Sequence, residues 1–165
     1  MVVGLGSNLA HPRRQIARAI NAIAMLPGTQ VVQVSPNYAS APVGTSSPQP
    51  DYINAAITAR TRLAPRALLR FLQAIERRQL RRRDPNGPRN APRTLDLDLL
   101  LYGRRRLHLA QLTIPHPRLH QRAFTLRPLR DIAPAAIIPG RGLARGFLPT
   151  VKHQRIARTR SHSLH

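Results

Sequence analysis

The sequence predicts a single α+β domain, and three observations predict it. Apolar residues recur at helical spacing in two stretches, first Ile16, Ile20 and Ile23, then Leu68, Phe71, Leu72 and Ile75. Residues 52–61 alternate instead with period two, with Tyr52, Asn54 and Ala56 on one strand face and Ile53, Ala55 and Ile57 on the other. A chain of 165 residues with 42% hydrophobic content is long enough for one packed core and too apolar to be disordered throughout.

Taken in order, residues 1–5 form a short apolar strand. The run Gly4-Leu5-Gly6-Ser7-Asn8 then reads as a tight turn, which Gly6 and Asn8 tolerate. As half of a dinucleotide fingerprint it lacks the third glycine and the acid that should follow. Pro12 suits a first helical turn, and Pro27-Gly28 ends that helix. Residues 31–34 are rich in β-formers. Residues 39–51 hold Pro42, Gly44, Pro48 and Pro50 and read as a long loop, of the kind that often carries function.

Pro65 opens a second helix, on which Gln73 and Glu76 share a face beside the apolar stripe. Residues 77–93 are crowded with Arg, Pro, Asn and Gly, and read as a basic loop, either solvated or closing over phosphate. Residues 112–115 are short and β-like, and residues 123–132 form a third helix stopped at Pro134. The organisation expected is a domain over residues 1–149 and a basic, disordered tail over 150–165.

The chain is organised around Arg93-Thr94-Leu95-Asp96-Leu97-Asp98-Leu99. Only 6 acids accompany 27 basic residues, yet two of them stand two apart inside an apolar run. On a strand, Asp96 and Asp98 share one face, while Leu95, Leu97 and Leu99 enter a core on the other. Paired carboxylates stay ionised most readily around a cation, and oxygen ligands of this number suit Mg²⁺ completed by phosphate oxygens. Arg93 can grip phosphate by bidentate hydrogen bonds. A solvent-facing strand with incidental acids is the bland alternative, weakened by the scarcity of acids elsewhere.

A net charge of +21 attracts polyanions, whether nucleotide, nucleic acid or anionic membrane. Without cysteine there is neither disulfide nor thiolate metal site, which suits the cytoplasm. No apolar run approaches a membrane span, so no membrane partner is expected. A basic RNA-binding protein of the ribosome-associated kind is the rival reading, but aromatic residues are only 4% and no RNP, KH or zinc-knuckle pattern occurs.

Together, Gly6-Ser7-Asn8-Leu9, Pro50-Asp51-Tyr52-Ile53-Asn54-Ala55, Gln73-Ala74-Ile75-Glu76, Pro92-Arg93-Thr94-Leu95-Asp96-Leu97-Asp98 and Ile114-Pro115-His116, with Arg122 and Phe124, resemble the 6-hydroxymethyl-7,8-dihydropterin pyrophosphokinase family. The resemblance covers nearly the whole chain to about residue 139 and is most specific in the stretch around Asp96 and Asp98. It implies a ferredoxin-like α+β fold with a mainly antiparallel sheet, and transfer of pyrophosphate from ATP to the pterin hydroxymethyl group with release of AMP, in folate biosynthesis. It further implies two Mg²⁺ ions on Asp96 and Asp98. Gln73, Glu76, Leu99, His116 and Arg122 match the nucleotide side. Ser40, Val43, Tyr52, Asn54 and Phe124 match the pterin side. Arg81, Arg83 and Arg93 match arginines that act on phosphate. A monomer acting on the small molecules ATP and hydroxymethyl dihydropterin is expected. The resemblance also admits a decayed, inactive relative. His116 by itself would read as an ordinary surface or hydrogen-bonded histidine.

Overall fold

The alternating stretch becomes the longest strand, and the sheet is built around it and its neighbour. In the computed structural model, the residues described are 1–42, 48–79 and 95–160. In chain order their elements are β1 (Val2–Ser7), α1 (Pro12–Ala24), β2 (Thr29–Val34), β3 (Tyr38–Ser40), β4 (Tyr52–Thr61), α2 (Pro65–Arg78), β5 (Asp96–Leu101), β6 (Leu107–Leu109), β7 (Leu112–Ile114), α3 (Ala123–Ile132), β8 (Ile137–Ile138), β9 (Gly142–Leu143) and β10 (Ile156–Arg158).

The main sheet runs β10-β3-β4-β1-β5, and β2 pairs with β4 beyond β3 on the same edge. Every pairing in it is antiparallel. The central pair is explained by composition: β1 and β4 offer Val3, Leu5, Ala55 and Ile57 to one side, and all four are buried. That side receives α1 and α2, whose Ile16, Ala19, Ile23, Leu68, Leu72 and Ile75 form one core with Leu95, Leu97 and Leu99. α3 and the 3₁₀ segment Ala144–Val151 cover the other side, where Val2 and Leu100 meet Leu119, Leu126 and Leu129. A fully buried Leu side chain contributes about 2 kcal/mol in transfer free energy, so these two cores hold the layers together.

Several elements stand where the periodicity puts them. Pro12 and Pro65 each occupy a first helical turn. Gly28, in the turn between α1 and β2, stands at φ +56°, in the left-handed region that glycine enters without cost.

Four expectations are corrected. Gly4 to Ser7 do not turn the chain; they lie inside β1, because β4 and β5 supply ladder partners to both edges. Phe71 is 37% exposed, since it sits at the rim of the α2 stripe and Leu68, Leu72 and Ile75 fill the contact with the sheet. Residues 39 and 40, read as loop, belong to β3. The tail expected to be disordered is structured through residue 160: Val151 is buried, and β10 pairs with β3 from Ile156 opposite Ser40 to Arg158 opposite Tyr38. The strand edge of β3 offers unpaired backbone groups, and the tail satisfies them.

Candidate active site

Beside β1, the two flanking strands bring their polar residues onto the α3 side of the sheet. Gly4 lies between Ala56 of β4 and Asp98 of β5, and Gly6 between Asn54 and Asp96. Neither glycine raises a side chain, so a side-chain-free floor separates the acidic row from the amide row. The approach is tight at Gly4 and at ordinary contact at Gly6. A Cβ on Gly6 would stand 3.4 Å from Asn54 Oδ1, and one on Gly4 would stand 3.2 Å from Leu100 Cδ1.

Above this floor is a cavity of about 660 Å³, within the size range of small-molecule sites. Its lining gathers Asp96 and Asp98 from β5, Tyr52 and Asn54 from β4, Ser40 from β3, Arg122, Phe124 and Thr125 at the start of α3, and Arg118 and Gln121 just before them. His153 and Gln154, leading into β10, complete it.

The amide row is fixed by hydrogen bonds. Asn54 Nδ2 donates to Ser40 Oγ at 2.7 Å, and both residues are buried. An amide so held still has a carbonyl and a second N–H with which to meet a heterocycle edge. Asn8, at the end of β1, donates to Gln49 Oε1 and Pro50 O, each at 3.2 Å, which ties the approach to β4 against β1. At the mouth of α3 the Arg122 guanidinium lies 5.2 Å from the centre of the Phe124 ring, a cation–π arrangement. Thr125 Oγ1 meets the Leu119 and Arg122 carbonyls, each at 2.8 Å, and so braces this turn.

His116 stands beside the acids, its Nε2 4.0 Å from Asp98 Oδ1. Its backbone N–H donates to Leu100 O at 2.9 Å, and its Nδ1 accepts from the Arg118 N–H at 3.2 Å. Burial lowers its pKa to about 4, helped by the charges of Arg122 and Arg118 and opposed by Asp96. At neutral pH it is therefore an uncharged imidazole with Nδ1 as acceptor, which leaves the proton on Nε2, toward Asp98.

Of the residues singled out in the sequence, Ser40, Tyr52, Asn54, Asp96, Asp98, Arg122 and Phe124 line this one cavity, with His116 at its edge. His116 is not itself in the lining, and three others lie away from it. Gln73 is half-buried and Glu76 buried on α2, and Leu99 lies in the core beneath α1 and α2. Val43, Arg81, Arg83 and Arg93 fall outside the described residues. The sequence reading missed Gly4, Gly6, Arg118, Gln121, His153 and Gln154. A spacing of two between the glycines was the available signal for the floor; nothing local marks the rest.

The acids fit Mg²⁺ by their donor set. They are hard oxygen ligands, half-buried on one strand face and open to the cavity. Among the described residues no group of three or more Asp, Glu, His or Cys converges into an all-protein cage. Two carboxylates completed by ligand phosphate is a habit of Mg²⁺ rather than of Ca²⁺ or Zn²⁺.

Comparison with known proteins follows the same line. A sequence model of the 7,8-dihydro-6-hydroxymethylpterin-pyrophosphokinase family matches residues 2–134. The chain is 50% identical over 137 residues to the 2-amino-4-hydroxy-6-hydroxymethyldihydropteridine pyrophosphokinase of Pseudomonas aeruginosa, covering 83% of this chain and 82% of that protein. It is 44% identical over 137 residues to the Haemophilus influenzae protein of the same name, covering 83% of each. Its fold is similar to the Plasmodium falciparum HPPK-DHPS structure with pterin and p-hydroxybenzoate, at a TM-score of 0.71 and 12% identity over 95% of this chain. The chain spans 44% of the length of that larger protein. This likeness extends to the antiparallel α+β fold.

Proposed function

The chain belongs to the 7,8-dihydro-6-hydroxymethylpterin-pyrophosphokinase family, and from that membership we propose how its residues divide the work of an ATP-dependent pyrophosphokinase of folate biosynthesis. The observation that carries the division is the single cavity in which Asp96 and Asp98 face the Asn54 row across Gly4 and Gly6.

The pterin enters on the side of Ser40, Tyr52, Asn54 and Phe124. Asn54, oriented by Ser40, reads the ring edge with both a donor and an acceptor. Phe124 stacks on its face. Val43 belongs to the same subsite. This arrangement directs the hydroxymethyl oxygen toward the acids.

ATP binds from the β5 side. Asp96 and Asp98 would hold two Mg²⁺ ions, which would supply charge neutralisation at the polyphosphate. The pterin hydroxyl oxygen forms its bond to the β-phosphorus as the bond from that phosphorus to the α-phosphate oxygen breaks; the hydroxyl proton is released to solvent, and AMP leaves with that oxygen. His116, uncharged, contributes an Nε2–H donor rather than a cation. Arg122 supplies positive charge at the boundary of the two subsites. Gln73, Glu76 and Leu99 belong to the nucleotide side, where Leu99 would act through its backbone since its side chain is in the core. Arg81, Arg83 and Arg93 act on the phosphates, where a guanidinium stabilises charge shifting during transfer.

No helix among the described residues is long and apolar enough to cross a membrane. A cytoplasmic monomer is the setting we propose. The direct test measures AMP release from ATP with hydroxymethyl dihydropterin, with and without Mg²⁺. Metal-dependent release that requires the pterin is expected. Pterin-independent hydrolysis, or full activity in excess chelator, would overturn this reading.

A further inference from the structure

The segment between residue 151 and β10 lies beyond the span matched by the family model, residues 2–134, yet it walls the cavity. Its strand pairs with β3 so that Ile156 is opposite Ser40, the residue that orients Asn54. Arg155 forms a two-pronged ion pair with Asp51, at 2.9 and 3.2 Å, just ahead of Tyr52. Thr159 N–H donates to Asn37 O at 2.9 Å, and Arg13 Nη1 to Arg160 O at 3.1 Å. Held at these points, the segment has a fixed place against the sheet.

From there Gln154 reaches across to α3. Its Oε1 accepts from the Ala123 N–H at 2.8 Å, and its Nε2 donates to the Gln121 carbonyl at 2.8 Å. Ala123 begins α3, where the first N–H groups have no intrahelical partner, and no side chain of the neighbouring Arg122 caps them. Gln154 therefore replaces a local N-cap with one supplied from 31 residues away. The turn it grips carries Arg122 and Phe124, which line the same cavity as Gln154 itself.

We propose that Gln154 is a positioning residue of the pterin subsite: it holds the first turn of α3 so that Phe124 and Arg122 keep their places, and thereby sets the affinity for the pterin. The proposal rests on the assignment of this cavity to the pterin. It explains why a segment outside the matched family span is anchored on β3, on Asp51 and on α1 rather than left free. Loss of a helix cap would raise the KM for the pterin about fivefold or more, with the KM for ATP and kcat little changed.

The experiment compares Gln154→Ala, Gln154→Glu and Phe124→Ala in the full chain by steady-state kinetics with both substrates. Gln154→Glu keeps the acceptor for the Ala123 N–H and adds favourable charge at a helix start, but loses the donor to Gln121. Its KM for the pterin should fall between those of wild type and Gln154→Ala. If Phe124→Ala raises that KM and Gln154→Ala does not, or if Gln154→Ala weakens both substrates equally, the positioning role is wrong while the pterin assignment stands. If Phe124→Ala is also without effect, the pterin assignment itself fails and the proposal with it. Should Gln154→Ala not fold, Gln154→Glu decides: a rise confined to the pterin KM supports the role, and an unchanged KM overturns it.

Discussion

The Asn54 amide donates to the Ser40 hydroxyl at 2.7 Å, a diagonal contact between adjacent antiparallel strands that leaves the Asn54 carbonyl oxygen over Gly6. Burial of both partners makes the amide plane a fixed feature rather than one of several rotamers. Asn54→Ala should raise the KM for the pterin roughly tenfold or more, the cost of one or two unmade buried hydrogen bonds. Ser40→Ala should do so less, because it removes only the orienting partner. Calorimetric titration with each substrate checks the split; equal losses for ATP and pterin would mark Asn54 as merely structural.

Asp96 and Asp98 share one face of β5, and both line the cavity. Asp96→Asn and Asp98→Asn preserve size and should lower kcat by about a thousandfold, several kcal/mol of lost electrostatic stabilisation. Thermal unfolding should show a midpoint equal to or slightly above wild type, since like-charge repulsion is relieved. Full turnover by either variant at saturating Mg²⁺ would remove the metal assignment.

The glycine floor makes a steric prediction. Gly6→Val places its Cβ at ordinary contact with Asn54 Oδ1 and its methyl groups beyond, into the cavity. Its backbone is extended within β1, so a β-branched residue should fold there. Loss of pterin turnover in a protein with native circular dichroism is the expected result. Retained turnover would show that the ligand does not rest on this floor.

Tyr38 supplies a pH dependence away from the site. Its hydroxyl donates to Asp131 Oδ2, and the Arg127 guanidinium lies 5.8 Å from its ring centre. Burial raises its pKa above 10, aided by the hydrogen bond and negative charge of Asp131 and opposed by Arg127 and Arg130. An unfolded chain would release this proton first, so the folded state binds more protons above about pH 10. The stability due to Tyr38 is therefore complete below pH 10 and is lost as pH rises through its elevated pKa. Tyr38→Phe should cost about 1 kcal/mol at neutral pH and give a shallower decline on the alkaline side. Urea unfolding of both proteins from pH 8 to 11 checks the slope.

Much of this architecture was legible in one dimension. Alternation from Tyr52 to Thr61 matches β4 residue for residue, and the isoleucine and leucine periods place the buried faces of α1 and α2. Pro65 and the span from Ala123 to Ile132 were equally local matters, of backbone geometry and side-chain spacing. Period two alone put Asp96 and Asp98 on one face and Leu95, Leu97 and Leu99 on the other.

Pairing is different in kind. Gly4-Leu5-Gly6 is locally as good a turn as a strand; only β4 and β5 on its two edges make it the floor of a site. Likewise nothing within residues 151–158 announces a strand or a cap, because three ladder pairs and one Gln side chain are too few to be stable alone. The sequence by itself determined which faces are apolar, where the helices begin and where the acids point, since these follow from spacing and backbone chemistry. Only the tertiary structure decided that the acids look across two glycines at Asn54, and that Gln154 caps a helix begun 31 residues earlier, since those relations exist only once distant backbone edges have satisfied one another.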